Sequence, residues 1–123
     1  MTDAVTTPAQ LFAGSPVGLA IHDEVAQVLG SFGDVSTRVT KSQVAFLHGH
    51  GFAFVWRPGQ YVRSDVPAVL SIALPHETAS PRFKEVVHPS PAVWMHHLEL
   101  RDVSQVDDEV RGWLREAWQH AAR

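Results

Sequence analysis

Histidine is the residue type in this chain best able to do chemistry, and there are eight: His22, His48, His50, His76, His88, His96, His97 and His120. An imidazole can move protons near neutral pH or ligate a divalent metal. Acid–base catalysis needs one held beside a reacting group, and His96 and His97 are the candidates. Metal binding needs several aimed at one point, and the spacings do not supply that. His48 and His50 sit among Gly49 and Gly51, in a turn. His96 and His97 are consecutive in a period-two segment, so they point to opposite faces of a strand. No HExxH helix or other standard ligand spacing is present. The expectation is no metal and no cofactor, with His96 a hydrogen-bonded histidine at the core margin.

A second group is cationic. Arg57, Arg63, Arg82 and Lys84 fall in or beside the two longest loops, with Trp56, Tyr61 and Phe83 close in sequence. Arginines with aromatics can hold an anion, a nucleotide or a single strand. Between Val35 and Lys84 six basic side chains stand against two acidic ones, about +4 by subtraction, in a chain of net charge −3. These four residues are therefore candidates for binding a small anionic ligand. The competing reading is that they cover loops. The overall negative charge argues against nucleic acid as the partner.

The other familiar signals fail. Gly49-His50-Gly51 lies between two strands, not between a strand and a helix, so it is no dinucleotide fingerprint. There is no P-loop and no nucleophile elbow. Asp107, Asp108 and Glu109 open a helix, where its dipole favours acids. The absence of cysteine removes disulfides, thiolate zinc sites and thiol catalysis. What remains is a non-catalytic binding or interaction module. The alternatives are a small enzyme using histidine acid–base chemistry, or a nucleic-acid accessory domain using the basic loops.

The elements that must position these residues follow from patterning. The chain has 123 residues, which suits one domain over 1–123. Thr7-Pro8 and Ser15-Pro16 each place a cap before a proline at the first helical position. Val17, Ile21, Val25, Val28 and Leu29 form a helical stripe. Period-two runs follow at 35–40, 44–46, 52–56, 70–74 and 94–101, with a possible edge strand at 83–88. Val106, Val110, Trp113, Leu114, Ala117, Trp118 and Ala121 mark a closing helix, with Ser104 as its cap. The expected fold is α+β, in two layers. A mainly antiparallel meander sheet of five to six strands carries the N- and C-terminal helices on one face.

Simple alternation then assigns the faces. Phe46, Phe52, Phe54, Trp56, Leu70, Ile72, Leu98 and Leu100 should meet the helices. Ala45, Leu47, Ala53, Val55, Val69, Ser71, Ala73 and Met95 should occupy the other face. That second face is too apolar for water. Its cover should be segment 7–13, the proline-rich stretch 75–91, or a second copy in a homodimer. No apolar run approaches the roughly 20 residues of a membrane span. Met1 to Gln10 lacks the basic and apolar regions of a signal peptide, so a cytoplasmic location is expected.

Several segments resemble a known family. They are Val39-Thr40-Lys41-Ser42-Gln43-Val44-Ala45-Phe46, Arg82-Phe83-Lys84-Glu85-Val86-Val87, His96-His97-Leu98-Glu99-Leu100, Val106-Asp107-Asp108-Glu109-Val110 and Trp113-Leu114-Arg115-Glu116-Ala117-Trp118. The family consists of small bacterial domains catalogued only as a domain of unknown function, and the likeness runs from about Phe32 onward. In element order and closing helix the chain also resembles the YjbR-like small α+β domains, which carry a DNA-binding label. Neither resemblance implies particular functional residues.

Overall fold

A computed structural model describes residues 6–60 and 62–122. Two capped helices open the chain. In α1 (Pro8–Leu11), Thr7 Oγ1 accepts from the Gln10 amide at 3.1 Å, and Gln10 Oε1 accepts from the Thr7 amide at 2.8 Å. In α2 (Pro16–Gly30), Ser15 Oγ accepts from the Gly18 amide. Both caps satisfy first-turn donors that a helix leaves unpaired. The α2 stripe buries Ile21, His22, Val25, Val28 and Leu29, but Val17 is 46% exposed on the outer side of the first turn. Gly18 is buried because the backbone of the loop before the central strand runs against it. A Cβ there would lie 2.6 Å from the Pro67 carbonyl oxygen.

Six strands follow: β1 (Ser36–Val39), β2 (Val44–His48), β3 (His50–Trp56), β4 (Ala68–Leu74), β5 (Phe83–Ser90) and β6 (Val93–Leu100). All neighbours are antiparallel, in the order β1-β2-β3-β4-β6-β5. The meander is regular through β4. The 75–82 connection then steps past one strand position, so β5 is an edge strand and β6 folds back between it and β4. All seven residues of β4 are buried. Turn residues 48–50 close β2 onto β3, with Gly49 at φ +80°, a left-handed conformation that glycine adopts without strain.

One irregularity changes the expected faces. Phe46 pairs with Ala53, but Leu47 pairs with Gly51, so Phe52 is an extra residue in β3. This bulge resets the alternation. Phe52 and Ala53 both join the helix-side core, and Val55 follows them. Phe54 and Trp56 are thereby turned to the opposite face. Simple alternation is thus corrected for Phe54, Trp56, Ala53 and Val55. The expected inward positions of Phe46, Phe52, Leu70, Ile72, Leu98 and Leu100 agree with the structure.

The closing helix α3 (Asp108–Ala121) lies across β2, β3 and β4 and buries Val110, Leu114, Ala117 and Ala121. Its cap is Asp107, which accepts from the Val110 amide at 3.1 Å. Ser104 does not cap it. Asp102 accepts from the Ser104 amide and starts a separate single turn at Val103–Gln105, which ends before the helix begins. Trp113 and Trp118 are half-buried at the edges of the helix layer, against Phe83 and His48 respectively.

Candidate interaction face

The face of the sheet turned away from the helices carries a continuous row. Arg38 pairs with Ala45, Ala45 with Phe54, Phe54 with Ser71, Ser71 with His97, and His97 with Glu85. Register partners in an antiparallel pair share a face. One row therefore crosses all six strands, with a cation at one edge and a carboxylate at the other. A neighbouring row runs Trp56, Val69, Glu99. The small residues on this face are buried by their taller neighbours, with Ala45 and Ala73 at 7%, Val69 at 4% and Ser71 at 3% exposure. Phe54, Trp56, Met95 and His97 are half-buried and, with Gln43, wall a shallow cleft of about 400 Å³ over Ser71.

A hydrogen-bond chain fixes the centre. Trp56 Nε1 donates to Ser71 Oγ at 3.0 Å, and Ser71 Oγ lies 2.7 Å from His97 Nδ1. The indole N–H donates to the serine oxygen, which keeps a lone pair and a proton of its own, so either Ser71 or His97 Nδ1 can be the donor in the second bond, according to the imidazole tautomer. Burial pushes the His97 pKa below its ordinary value, against the opposing pull of Glu85. Burial thus favours the neutral imidazole, beside an aromatic wall. A serine 2.7 Å from a histidine is also the spacing of a nucleophile and its base. Here, however, Ser71 is 3% exposed and its oxygen already accepts from Trp56.

Of the two catalytic candidates, His97 lies on this face and His96 lies on the other. His96 is fully buried and tilted against the Phe83 ring. Its Nε2 accepts from the Thr78 amide at 3.0 Å, so its Nδ1 donates to the Trp94 carbonyl at 2.9 Å. Both nitrogens are occupied within the fold. His48 and His50 bond the carbonyls of Trp118 and Ala121 through Nδ1, tying the β2–β3 turn to the last turn of α3. His76 pairs with Glu116 at 2.6 Å. His22 lies between Phe12 and Phe46, bonds Asp23 through Nδ1, and buries an unpartnered Nε2. Among the described residues no three histidines or carboxylates converge on a point where an ion could sit.

The cationic candidates are divided among tasks. Arg57 donates to the carbonyls of Leu11 and Ala13, closing the end of α1. Arg82 donates to both oxygens of Asp107, to Glu109 and to the Gln105 carbonyl, holding β5 to the start of α3. Its guanidinium also lies 5.9 Å from the Trp113 ring. Arg63 and Lys84 are exposed. Tyr61 lies outside the described residues. All four cations do belong to one end of the sheet, but two of them are committed to partners inside the fold.

Other hollows exist: one of about 390 Å³ lies against Asp34, Ser36 and His48, and two touch the helices. The larger, about 750 Å³, is the trough where α2 and α3 diverge. Its two carboxylates, Glu24 and Asp108, both pair with Arg111. Arg115 lies over Phe32 there, 4.6 Å from the ring centre. The other, about 310 Å³, is an apolar recess beside Phe52, Ala117 and His120. Neither has tryptophan or methionine in its walls, as the cleft over Ser71 does.

The sequence pattern missed Phe54, Trp56 and Glu85 as parts of one surface. The available signal was Gly51, because a glycine inside a strand marks a bulge. Its consequence for the faces depends on how β2 pairs with β3, which no local pattern contains.

Fold and face together define a two-layer α+β domain whose antiparallel six-stranded sheet, among the described residues, is helix-covered on one side only. The chain belongs to the family described as a domain of unknown function, DUF5655, which matches residues 9–121. No curated protein and no solved structure matches it. The resemblance to YjbR-like domains is not shown by these comparisons. No helix among the described residues is long and apolar enough to cross a membrane.

Proposed function

We propose that this domain is a non-catalytic interaction module and that the helix-free face of its sheet is the recognition surface. One observation carries the reading. Phe54, Trp56, Met95 and His97 stand half-exposed around a floor of small residues, and no described segment lies over them. Exposed apolar area rimmed by polar groups marks a contact surface. Tryptophan, methionine and phenylalanine are the residues that interfaces favour. The Trp56–Ser71–His97 chain holds two of those side chains in place, so little ordering entropy is lost on contact.

The two internal covers that the sequence suggests are occupied elsewhere. Leu11 and Phe12 of the 7–13 segment enter the helix-side core. In the 75–82 connection, Thr78 bonds His96 and His76 bonds Glu116, both on the helix side. The rest of the proline-rich stretch forms β5 itself.

The enzyme reading has less support. His96 has no free nitrogen, and Ser71 is 3% exposed. Anion binding by the basic loops draws support only from Arg63 and Lys84, since Arg57 and Arg82 are engaged.

Fragment screening by NMR tests the proposal, because interaction faces collect small apolar probes. Aromatic fragments should shift the Met95 methyl and the Trp56 indole before any signal from the α2–α3 trough or the recess beside His120. Hits confined to those two hollows, or no shift at Met95 and Trp56, would overturn it.

A further inference from the structure

We infer that the occupant of this face is a second copy of the same chain, packed sheet against sheet about a two-fold axis that runs along the strands. The inference rests on the reading of the face given above and names its partner.

The row Arg38, Ala45, Phe54, Ser71, His97, Glu85 carries the argument. Two stacked faces can be related by a two-fold along the strands or by one across them. An axis across the strands, laid over the row, sets every residue of the row against itself. Arg38 then meets a second Arg38, Glu85 a second Glu85, and Phe54 a second Phe54. An axis along the strands exchanges left and right. The β1 position then lies over β5, β2 over β6, and β3 over β4. Arg38 meets Glu85 of the partner subunit, and Glu85 meets the partner's Arg38. Ala45 faces the partner's His97, and Phe54 faces the partner's Ser71. Charge meets opposite charge, and large meets small at each remaining position. In the neighbouring row, Trp56 likewise meets the partner's Val69. The surface is self-complementary under this operation and self-opposed under the other, which is the condition for an isologous interface.

The dimensions agree. Strands about 4.8 Å apart place the two ends of the row about 12 Å on either side of its centre. Aligned sheets cross at about 30°, which displaces those ends by about 6 Å. Arginine and glutamate side chains span that distance. Both Arg38 and Glu85 are exposed, so substituting them leaves the core of each copy intact.

Sedimentation velocity on the full chain at low ionic strength is the test. The wild type should dimerise as concentration rises. Arg38→Glu and Glu85→Arg, each with unchanged melting temperature, should each raise the dimer dissociation constant at least about tenfold, because each creates two like-charge contacts. An equimolar mixture of the two variants should recover wild-type association, because in the mixed dimer both contacts become opposite in sign. Added salt should shrink these differences. A wild type that stays monomeric at high micromolar concentration overturns the inference, and the face reading then stands or falls on its fragment test. A dimer indifferent to both reversals, or a mixture no tighter than either variant alone, overturns it too.

Discussion

His97 does two things at once: it ends a hydrogen-bond chain and sits half-buried beneath the surface it helps to shape. Burial disfavours its protonated form, so the unfolded chain takes up a proton at higher pH than the folded one does. The stability tied to neutral His97 is complete above about pH 6.5 and is lost as pH falls from there toward its depressed folded pKa. His97→Asn keeps a hydrogen-bonding amide where Nδ1 sits and removes the titration. Its melting temperature should therefore fall less steeply than that of the wild type between pH 7 and 5 in a thermal-melt series. An unchanged slope would place the acid sensitivity on other groups. His76 acts in the opposite sense. Its bond to Glu116 raises its pKa, so its contribution is full below the ordinary histidine value and disappears as pH rises through the raised one. With His76 55% exposed, that contribution is small.

Among the elements, α2 contains a position where propensity and packing disagree. Alanine is favoured over glycine inside a helix by about 1 kcal/mol. At Gly18 the added methyl would meet the Pro67 carbonyl oxygen at 2.6 Å and the Phe12 ring at 2.7 Å. The carbonyl belongs to backbone and cannot rotate away. Gly18→Ala should thus destabilise the protein, by about 1–3 kcal/mol in a urea melt, whereas Gly30→Ala, with open space around it, should not. What could be read from sequence divides along the same line between local and distant causes. Thr7, Ser15 and their prolines announce the starts of α1 and α2 because a cap bonds within its own turn. At the start of α3, Ser104 and Asp107 are both competent caps, and the choice is made by Asp102, which captures Ser104 for a different turn. Alternation reads β4 correctly and fails in β3 after Gly51, because the bulge at Phe52 is a property of the β2–β3 pairing. The Arg38-to-Glu85 row is invisible in sequence for the same reason: its members are scattered between positions 38 and 97, and only register assembles them.

At the level of the whole molecule, the stability is lopsided. The principal apolar core lies between the sheet and its helices, where Leu70, Ile72, Leu98, Leu100 and Leu114 are all fully buried. The opposite face contributes side chains that are only partly withdrawn from water. Leu114→Ala and Ile72→Ala should each cost about 2–5 kcal/mol, the range for large-to-small changes in a packed core. Phe54→Ala and Met95→Ala should cost about 1 kcal/mol or less in dilute solution, where the face is unoccupied. Urea melts of the four variants check this, and equal losses on both faces would contradict it.

The position of α3 has a consequence for how the chain is made. It covers β2, β3 and β4, yet it follows all of them in sequence. On a ribosome, the central strand is complete at Leu74, while the helix that shields it ends only at Ala121. At 5–20 residues per second that interval lasts roughly 2–10 s. For that interval α2 alone is available to shield the helix side, β4 lacks β6 beside it until Leu100 is made, and α3 is missing to the end. Folding must therefore finish late and nearly all at once, and until then a chaperone that holds apolar strands has its natural client.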